Sequence, residues 1–365
     1  MKKKIIYISI EVKSREFYPK LFFISKAITK NFDCFIGDKI AIEKAMKVFG
    51  PGIYFYKSIN YYDTQHIIRI KKDNLYVAQD EEGGFARPNY KEINKFITYR
   101  SSKINVDLID RFYNWGKFDF LIYKKRYKKY KKKFLKVGSP RLDIWNNTVG
   151  QKIFRDDINQ IKKYKKFILI VSSGVSSISE LKKRFIVDKT SKKLRNKKER
   201  EKKKIEHTYE FKVFKKNIEL INYLSKKFPD TKLIVRKHPN ENIDDWKKII
   251  RKFPNNVIFD DRFDIFGWLY LSRCTIHTAS TIGLQSYLMK KNLISYVPRI
   301  AGSHRGFSNQ FGFKASSFKK VENILDNVLN DKKSLNIFNK KNHNKFNDRL
   351  FFDKKYSSSD LIVND

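Results

Sequence analysis

Two doubly wound α/β halves, each built on a mostly parallel sheet, are what this sequence predicts. Three observations carry the expectation. Short β-rich apolar runs alternate with stretches of helical apolar spacing, which is the grammar of βαβ units. The same alternation recurs in the second half of the chain, after a break near residues 146–165. Finally, 365 residues, 41% of them hydrophobic, suffice for two cores at roughly 150 residues per domain. The expected division is a first domain over residues 1–150, a second over 165–315 and a tail over 316–365.

The elements follow in order. Residues 4–10 (KIIYISI) form a continuous β-branched run, as suits a strand covered on both faces. Residues 17–30 place apolar side chains at helical spacing and lead into a second strand at 33–37. A helix at 41–49, a strand at 52–57 and a strand at 75–79 come next. The last of these runs directly into Asp80-Glu81-Glu82-Gly83-Gly84. A strand at 134–137 precedes Gly138-Ser139-Pro140-Arg141. In the second half, strands are expected at 167–172, 232–236, 257–259, 274–278 and 293–297, with helices at 209–227, 243–252, 265–271 and 281–289. The lysine-rich stretch 182–204 reads as a solvated insertion. In the tail only a helix near 318–329 is legible. Two Rossmann-like halves of this kind place a ligand cleft at the carboxyl ends of their strands.

Lys and Arg number 80 against 38 Asp and Glu, a formal charge of +42. Clustered lysines release counterions from phosphates, and Tyr127 and Tyr130 interrupt the basic run 124–133 as a stacking platform requires. Lys, Asn, Ile, Phe and Tyr are nonetheless over-used together, as AT-rich coding produces, and neither basic run carries a nucleic-acid-binding signature. Nucleic acid is therefore not an expected partner. A basic surface suits two others: an anionic membrane and an anionic nucleotide-linked donor. No apolar run approaches the roughly 20 residues of a membrane span, and the apolar segment after the first lysines is too short for a signal peptide. Two cysteines, Cys34 and Cys274, cannot make a disulfide framework and suit a reducing compartment. The expected location is cytoplasmic, with peripheral contact at the inner face of the membrane.

Reactive residues of open α/β sheets sit just after strands, and that filter leaves five places. Glu11, Lys13, Arg15 and Glu16 follow the first strand and suit a polar acceptor, or simply a solvated helix entry. Asp80, Glu81 and Glu82 are adjacent carboxylates; if they share a dry cleft, repulsion raises at least one pKa, as a base acting on a sugar hydroxyl requires. Gly83 and Gly84 let a substrate approach the backbone. Arg141 and Asp143 follow the 134–137 strand and suit a hinge or cleft tie. Arg236, Lys237 and His238, ahead of Pro239, place two cations and an imidazole where they can neutralise a phosphate leaving group. Ser280 and Thr281, ahead of Gly283 and Gln285, bring hydroxyls to a helix start that can hold a phosphate or serve as an ordinary cap. His277 lies inside a strand and reads as a core residue.

Other chemistries find no support. Walker, GxGxxG, GxSxG and HExxH patterns are missing from the sequence. The cysteines and six histidines show no zinc spacing, and there is no Asp-x-Asp. No metal and no cofactor is implied.

The stretches EVKSRE (11–16), DEEGG (80–84), Trp115-Gly116, GSPRLD (138–143), RKHPNEN (236–242) and IHTASTIGLQSYLMKKNLISY (276–296) occur in one order. In that order the chain resembles the bacterial surface carbohydrate biosynthesis proteins, which are glycosyltransferase-like and of GT-B type. It is more distantly similar to polysialyltransferases, Kdo transferases and CDP-glycerol polymerases, which also carry an acidic-Gly, an His-Pro and a Ser/Thr motif. The resemblance implies two Rossmann-like domains facing across a cleft, with the donor on the second and the acceptor on the first. It gives the acidic role to Glu81 or Glu82, a phosphate contact to His238, and the nucleotide phosphate to Ser280 and Thr281. Lys237 stands where that family usually has proline, and Gln285 where it usually has glutamate. The implied activity is metal-independent transfer of a sugar from a nucleotide-sugar, CMP- or CDP-linked, to a glycan or glycolipid acceptor in lipopolysaccharide or capsule synthesis. A polyol-phosphate transferase of CDP-glycerol type and a non-catalytic glycan-assembly protein remain the alternatives.

Overall fold

The computed structural model describes residues 4–83, 87, 89–172, 197–238, 241–249, 254–300, 306–330 and 340–365. Gly84, Pro239, Asn240 and most of the lysine-rich stretch 182–204 lie outside the described residues. The chain forms two compact units, Met1–Ile153 with Lys340–Asp365, and Phe154–Asn339. The tail expected from residue 316 is thus divided: its first helix, Phe318–Leu329, belongs to the second unit and its end to the first.

In the first unit six parallel strands make one sheet: β1 (Lys4–Ser9), β2 (Phe32–Gly37), β3 (Ile53–Tyr56), β4 (Leu75–Ala78), β5 (Arg111–Asn114) and β6 (Phe134–Lys136). Their order is β2-β1-β3-β4-β5-β6, so the topology reverses between β1 and β3. Both faces are covered, which explains the apolar runs. Alternate residues supply two cores, as a two-residue period requires. Tyr7, Tyr54 and Tyr76 pack with Ile42, Ile67 and Ile93 on one face. Ile6, Ile8, Phe55 and Val77 pack with Phe23, Ala27 and Ile362 on the other. Ile362 comes from the terminal helix Ser358–Asn364, which makes the chain's end part of this core.

β5 was not foreseen, because Arg111 and Asn114 bracket only two apolar residues. Pairing of Phe112 with Ala78 and Phe134 fixes it in the sheet. The next residues explain the Trp-Gly pair. Phe351 N–H donates to Trp115 O at 2.7 Å, and a Cβ on Gly116 would lie 2.1 Å from Arg349 O. Only glycine lets the returning chain lie so close.

The second unit repeats the plan with β7 (Phe167–Val171), β8 (Lys232–Arg236), β9 (Val257–Phe259), β10 (Cys274–His277), β11 (Leu293–Tyr296) and β12 (Phe313–Ala315). The order is β12-β11-β10-β7-β8-β9, all parallel, with its reversal between β7 and β10. Ile168, Ile170, Leu233, Val235 and Ile276 form its core with Trp246 and Val321. The helix before β8 runs from Lys197 to Lys227, so the last residues of the lysine-rich stretch are helical.

Candidate functional site

Open α/β sheets bind ligands at the carboxyl ends of strands beside the topological switch. Each unit has such an edge.

In the first unit the switch lies between β1 and β3, and an ion pair between Glu11 and Lys57 spans it. Glu16 is fully buried. Its carboxylate accepts the N–H groups of Glu11 at 2.9 Å and Val12 at 3.3 Å, and Arg15 Nη2 at 3.1 Å. Glu16 therefore closes the loop on itself, and Arg15, partly exposed, lends it one bond. Lys13 is exposed, its ammonium 5.8 Å from the Phe17 ring.

Beyond β4 the three carboxylates part. Asp80 is buried and accepts Arg100 Nε at 2.5 Å and Nη2 at 3.1 Å, with the N–H groups of Glu82 and Gly83 at 2.9 and 3.2 Å. Burial pushes its pKa up, opposed by Arg100 and the Glu82 N–H. Glu81 turns the other way and pairs with Lys20 at 2.8 Å, both side chains under 5% exposed. Lys20 Nζ also stands 3.9 Å from the centre of the Phe55 ring. Glu82 is half exposed, 3.5 Å from Arg100 Nη1. Mutual repulsion is therefore not what sets this loop, because each buried carboxylate has its own cation. The backbone is fixed as well. Trp115 Nε1 donates to Asp80 O at 2.7 Å, and Arg141 Nη1 to Glu81 O at 3.0 Å. Arg141 lies against Trp115 and Trp145.

Asp143 has a different task from the hinge tie expected of it. Its carboxylate accepts the N–H groups of Ser358 and Ser359 at 2.8 and 2.9 Å and Ser359 Oγ at 2.7 Å. It anchors the terminal helix within the first unit.

In the second unit the switch lies between β7 and β10, and the end of β8 flanks β7. Arg236 donates to the carbonyls of Asp260, Arg262 and Phe263 at 3.3, 2.6 and 3.3 Å. Lys237 pairs with Asp261 at 3.0 Å. Both cations thus hold the loop after β9, and three of the five Arg236 N–H donors are used on its carbonyls. His238 is half-buried, and its turn is held by Glu241. Glu241 Oε2 accepts the His238 N–H at 2.9 Å, and Oε1 accepts Ser172 Oγ at 2.5 Å. Burial raises the Glu241 pKa against the pull of those bonds. Sequence reasoning gave Glu241 no role. The available signal was an acidic residue three positions after His238, where it can reach back to a backbone N–H.

At β10, His277 is fully enclosed and its Nε2 lies 2.9 Å from Ser295 Oγ. Ser295 in turn donates to Phe311 O at 2.6 Å, so His277 is the donor to Ser295. Burial pushes its pKa down to about 3. A Cβ on Gly283 would lie 2.4 Å from His277 Cε1, so Gly283 lets the helix Ile282–Leu288 cross the imidazole. Ala279 adopts φ 54°, with its N–H donating to Asn309 Oδ1 at 2.7 Å. Ser280 Oγ accepts the Ile282 N–H at 3.3 Å. Thr281 makes no side-chain cap bond, and Gln285 is buried.

The structure thus brings Glu11, Asp80, Glu81, Glu82 and Arg141 to one strand edge, and His238, Ser280 and Thr281 to another. It gives Glu16, Asp143, Arg236 and Gly283 partners within the fold itself. Among the described residues no group of His, Cys, Asp or Glu is arranged to hold a metal ion.

The sequence matches no protein-family profile and no curated protein. Solved structures do match. The wall teichoic acid polymerase TagF superposes with TM-score 0.57 at 13% identity, over 99% of this chain and 87% of that one. A TagF variant soaked with CDPG gives 0.56 at 11%, over 99% and 87%. The UDP-GlcNAc 2-epimerase of Neisseria meningitidis, bound to UDP-GlcNAc, gives 0.55 at 8%, over 100% and 99%. The two parallel six-stranded sheets are those of the GT-B fold shared by these proteins.

Proposed function

We propose that this chain is a GT-B-type glycosyltransferase of surface polysaccharide synthesis, of lipopolysaccharide or capsule. It takes a sugar from a CMP- or CDP-linked donor to a glycan or glycolipid acceptor, at the inner face of the membrane. The observation that carries the proposal is the division of labour at the acidic loop. Asp80 and Glu81 are bound to their own cations, and Glu82 alone of the three is half exposed. Glu82 takes the proton of the acceptor hydroxyl. That oxygen bonds to the anomeric carbon of the sugar, and the bond from this carbon to the donor phosphate breaks, its electron pair leaving on phosphate. His238, Ser280 and Thr281 receive the phosphate, and Gln285 lies nearby in sequence for the nucleoside.

Removal of one electrostatic partner of a leaving group costs about 2.7–4 kcal/mol. His238→Ala should therefore lower kcat by about 100- to 1000-fold with an unchanged melting temperature. A thermal-shift screen with CMP, CDP, UDP and GDP, free and sugar-linked, names the donor. At 100 times its Kd a ligand adds about 2.7 kcal/mol. A selective shift that His238→Ala abolishes supports the donor site. A folded protein that none of them shifts points to the non-catalytic alternative.

The likeness to TagF supports one second reading, transfer of a polyol phosphate. Product analysis separates the two, because only that transfer leaves a new phosphodiester in the polymer.

A further inference from the structure

We infer that one flank of the first unit docks on an anionic lipid bilayer. Four neighbouring segments make this flank: the turn Tyr61–Asp63, the end of the helix Tyr90–Arg100, the helix Lys103–Leu108, and the helix Lys117–Arg126 with the turn Lys128–Lys133. Bonds join them side by side. Asn105 Nδ2 donates to Asn60 O at 2.5 Å, and Ser102 N–H to Ile59 O at 3.2 Å. Arg126 donates to Thr98 Oγ1. The hydroxyls of Ser101 and Tyr127 share a hydrogen bond at 2.8 Å, and Lys133 Nζ donates to Val106 O at 3.2 Å. The surface is therefore continuous.

Its positive charge is concentrated in one run, and the acidic residues at the surface of the neighbouring segments are Asp63, half-buried, and Asp107, exposed. Eight of the ten residues 124–133 are Lys or Arg, and no Asp or Glu occurs from 120 to 142. Lys128, Lys129, Lys131 and Lys132 are exposed, and none has an acidic partner among the described residues. Clusters of this size are what anionic headgroups attract. Beside them stand large apolar side chains in solvent: Tyr62 is 85% exposed, Tyr99 86% and Ile104 54%. Tyrosine, with an apolar ring and a polar tip, is suited to the headgroup layer.

A single-stranded nucleic acid fits less well. It needs open aromatic faces between the cations, but Tyr127 is buried and the Tyr130 ring lies against Lys129 and Lys133. The aromatic rings that are open lie on other segments, next to an isoleucine.

The test is co-sedimentation of the full chain with phosphatidylcholine vesicles, with and without phosphatidylglycerol. Binding should need phosphatidylglycerol and weaken with salt. Replacing Lys128, Lys129, Lys131 and Lys132 by glutamine should lower the partition coefficient by on the order of 100-fold or more. A control with the same charge loss, Lys30→Gln, Lys44→Gln, Lys47→Gln and Lys72→Gln, should stay within a few-fold of wild type. Tyr62→Ala with Tyr99→Ala should weaken binding and leave its salt dependence in place. All these side chains are exposed, so circular dichroism and melting should not change. Absence of binding to anionic vesicles, an equal loss in the control, or tighter capture of a single-stranded RNA than of vesicles would each overturn the inference. Vesicle binding requires neither donor nor turnover, so it can fail while the transferase proposal stands, and the reverse.

Discussion

The two strand edges solve the problem of burying polar groups in opposite ways. At the edge of the first unit charges are buried in pairs: Asp80 with Arg100, Glu81 with Lys20. At the edge of the second unit the enclosed groups beside the switch are mostly neutral or hydroxylic: His277, Ser295, Thr278 and Ser280. The one buried carboxylate described there, Glu241, is held by Ser172 and the His238 N–H rather than by a cation. The cations of this edge are turned aside to the loop after β9. An edge whose charges are already matched does not attract a second charge, and it suits a neutral hydroxyl acceptor. An edge lined with hydroxyls, with a half-buried imidazole beside it, leaves room for an anion. The asymmetry, rather than any one motif, supports assigning acceptor and donor to different units.

The sharpest way to break this comparison is to unmatch a pair. Removing one partner of a buried ion pair leaves an uncompensated charge and costs about 3–5 kcal/mol. Glu81→Gln should therefore destabilise the protein by that order in urea unfolding. Lys20→Met combined with Glu81→Leu should recover most of the loss. Glu82→Gln should do the reverse, with stability within about 0.5 kcal/mol of wild type and activity reduced about 100-fold or more. Equal destabilisation by Glu81→Gln and Glu82→Gln would dissolve the distinction between a held and an available carboxylate.

The same contrast shows what the sequence could and could not disclose. Buried strands were legible because β-branched runs such as KIIYIS and FILIV have no other economical use. The edges were legible because residues following those strands must lie there. What a side chain does at the edge was not, because that depends on partners distant in sequence. Lys20 looked like one lysine among many on a helix, and only the fold brings it to Glu81, sixty-one positions on. Arg236 had the right chemistry and the right strand end, yet the loop after β9 claims it. Asp143 was placed after its strand correctly, but its partners are more than two hundred residues away. β5 and the returning chain end were missed for the same reason: pairing stabilises them where local pattern does not.

A smaller effect sharpens the picture of the second edge. Gly283 faces the His277 imidazole with no room for a methyl group. Overpacking a close-packed site costs about 1–3 kcal/mol, so Gly283→Ala should lower stability by that amount, and a nucleotide should still bind once the variant is folded. Retained stability with lost nucleotide binding would return Gly283 to the ligand site.

The most specific effect is on pH. His277 has its pKa pushed down to about 3 by burial, whereas an unfolded histidine titrates near 6.5. The unfolded chain therefore takes up the proton first. The stability that the neutral ring provides is complete above about pH 6.5 and is lost as pH falls toward 3, at about 1.4 kcal/mol per pH unit. In the first unit His66 is likewise pushed down, to about 4, by burial and nearby cations, but Glu43 at 3.2 Å pulls the other way. Among the described residues His277 has no such carboxylate beside it, and it should give the longer acid limb. Unfolding free energies between pH 7 and 4 should thus fall less steeply in His277→Leu than in wild type, and the change should exceed that in His66→Leu. Identical slopes in wild type and His277→Leu would mean that the folded protein takes up the imidazole proton as readily as the unfolded chain does. The second edge would then accept a buried cation in acid, and the contrast between the two units would rest on their carboxylates alone.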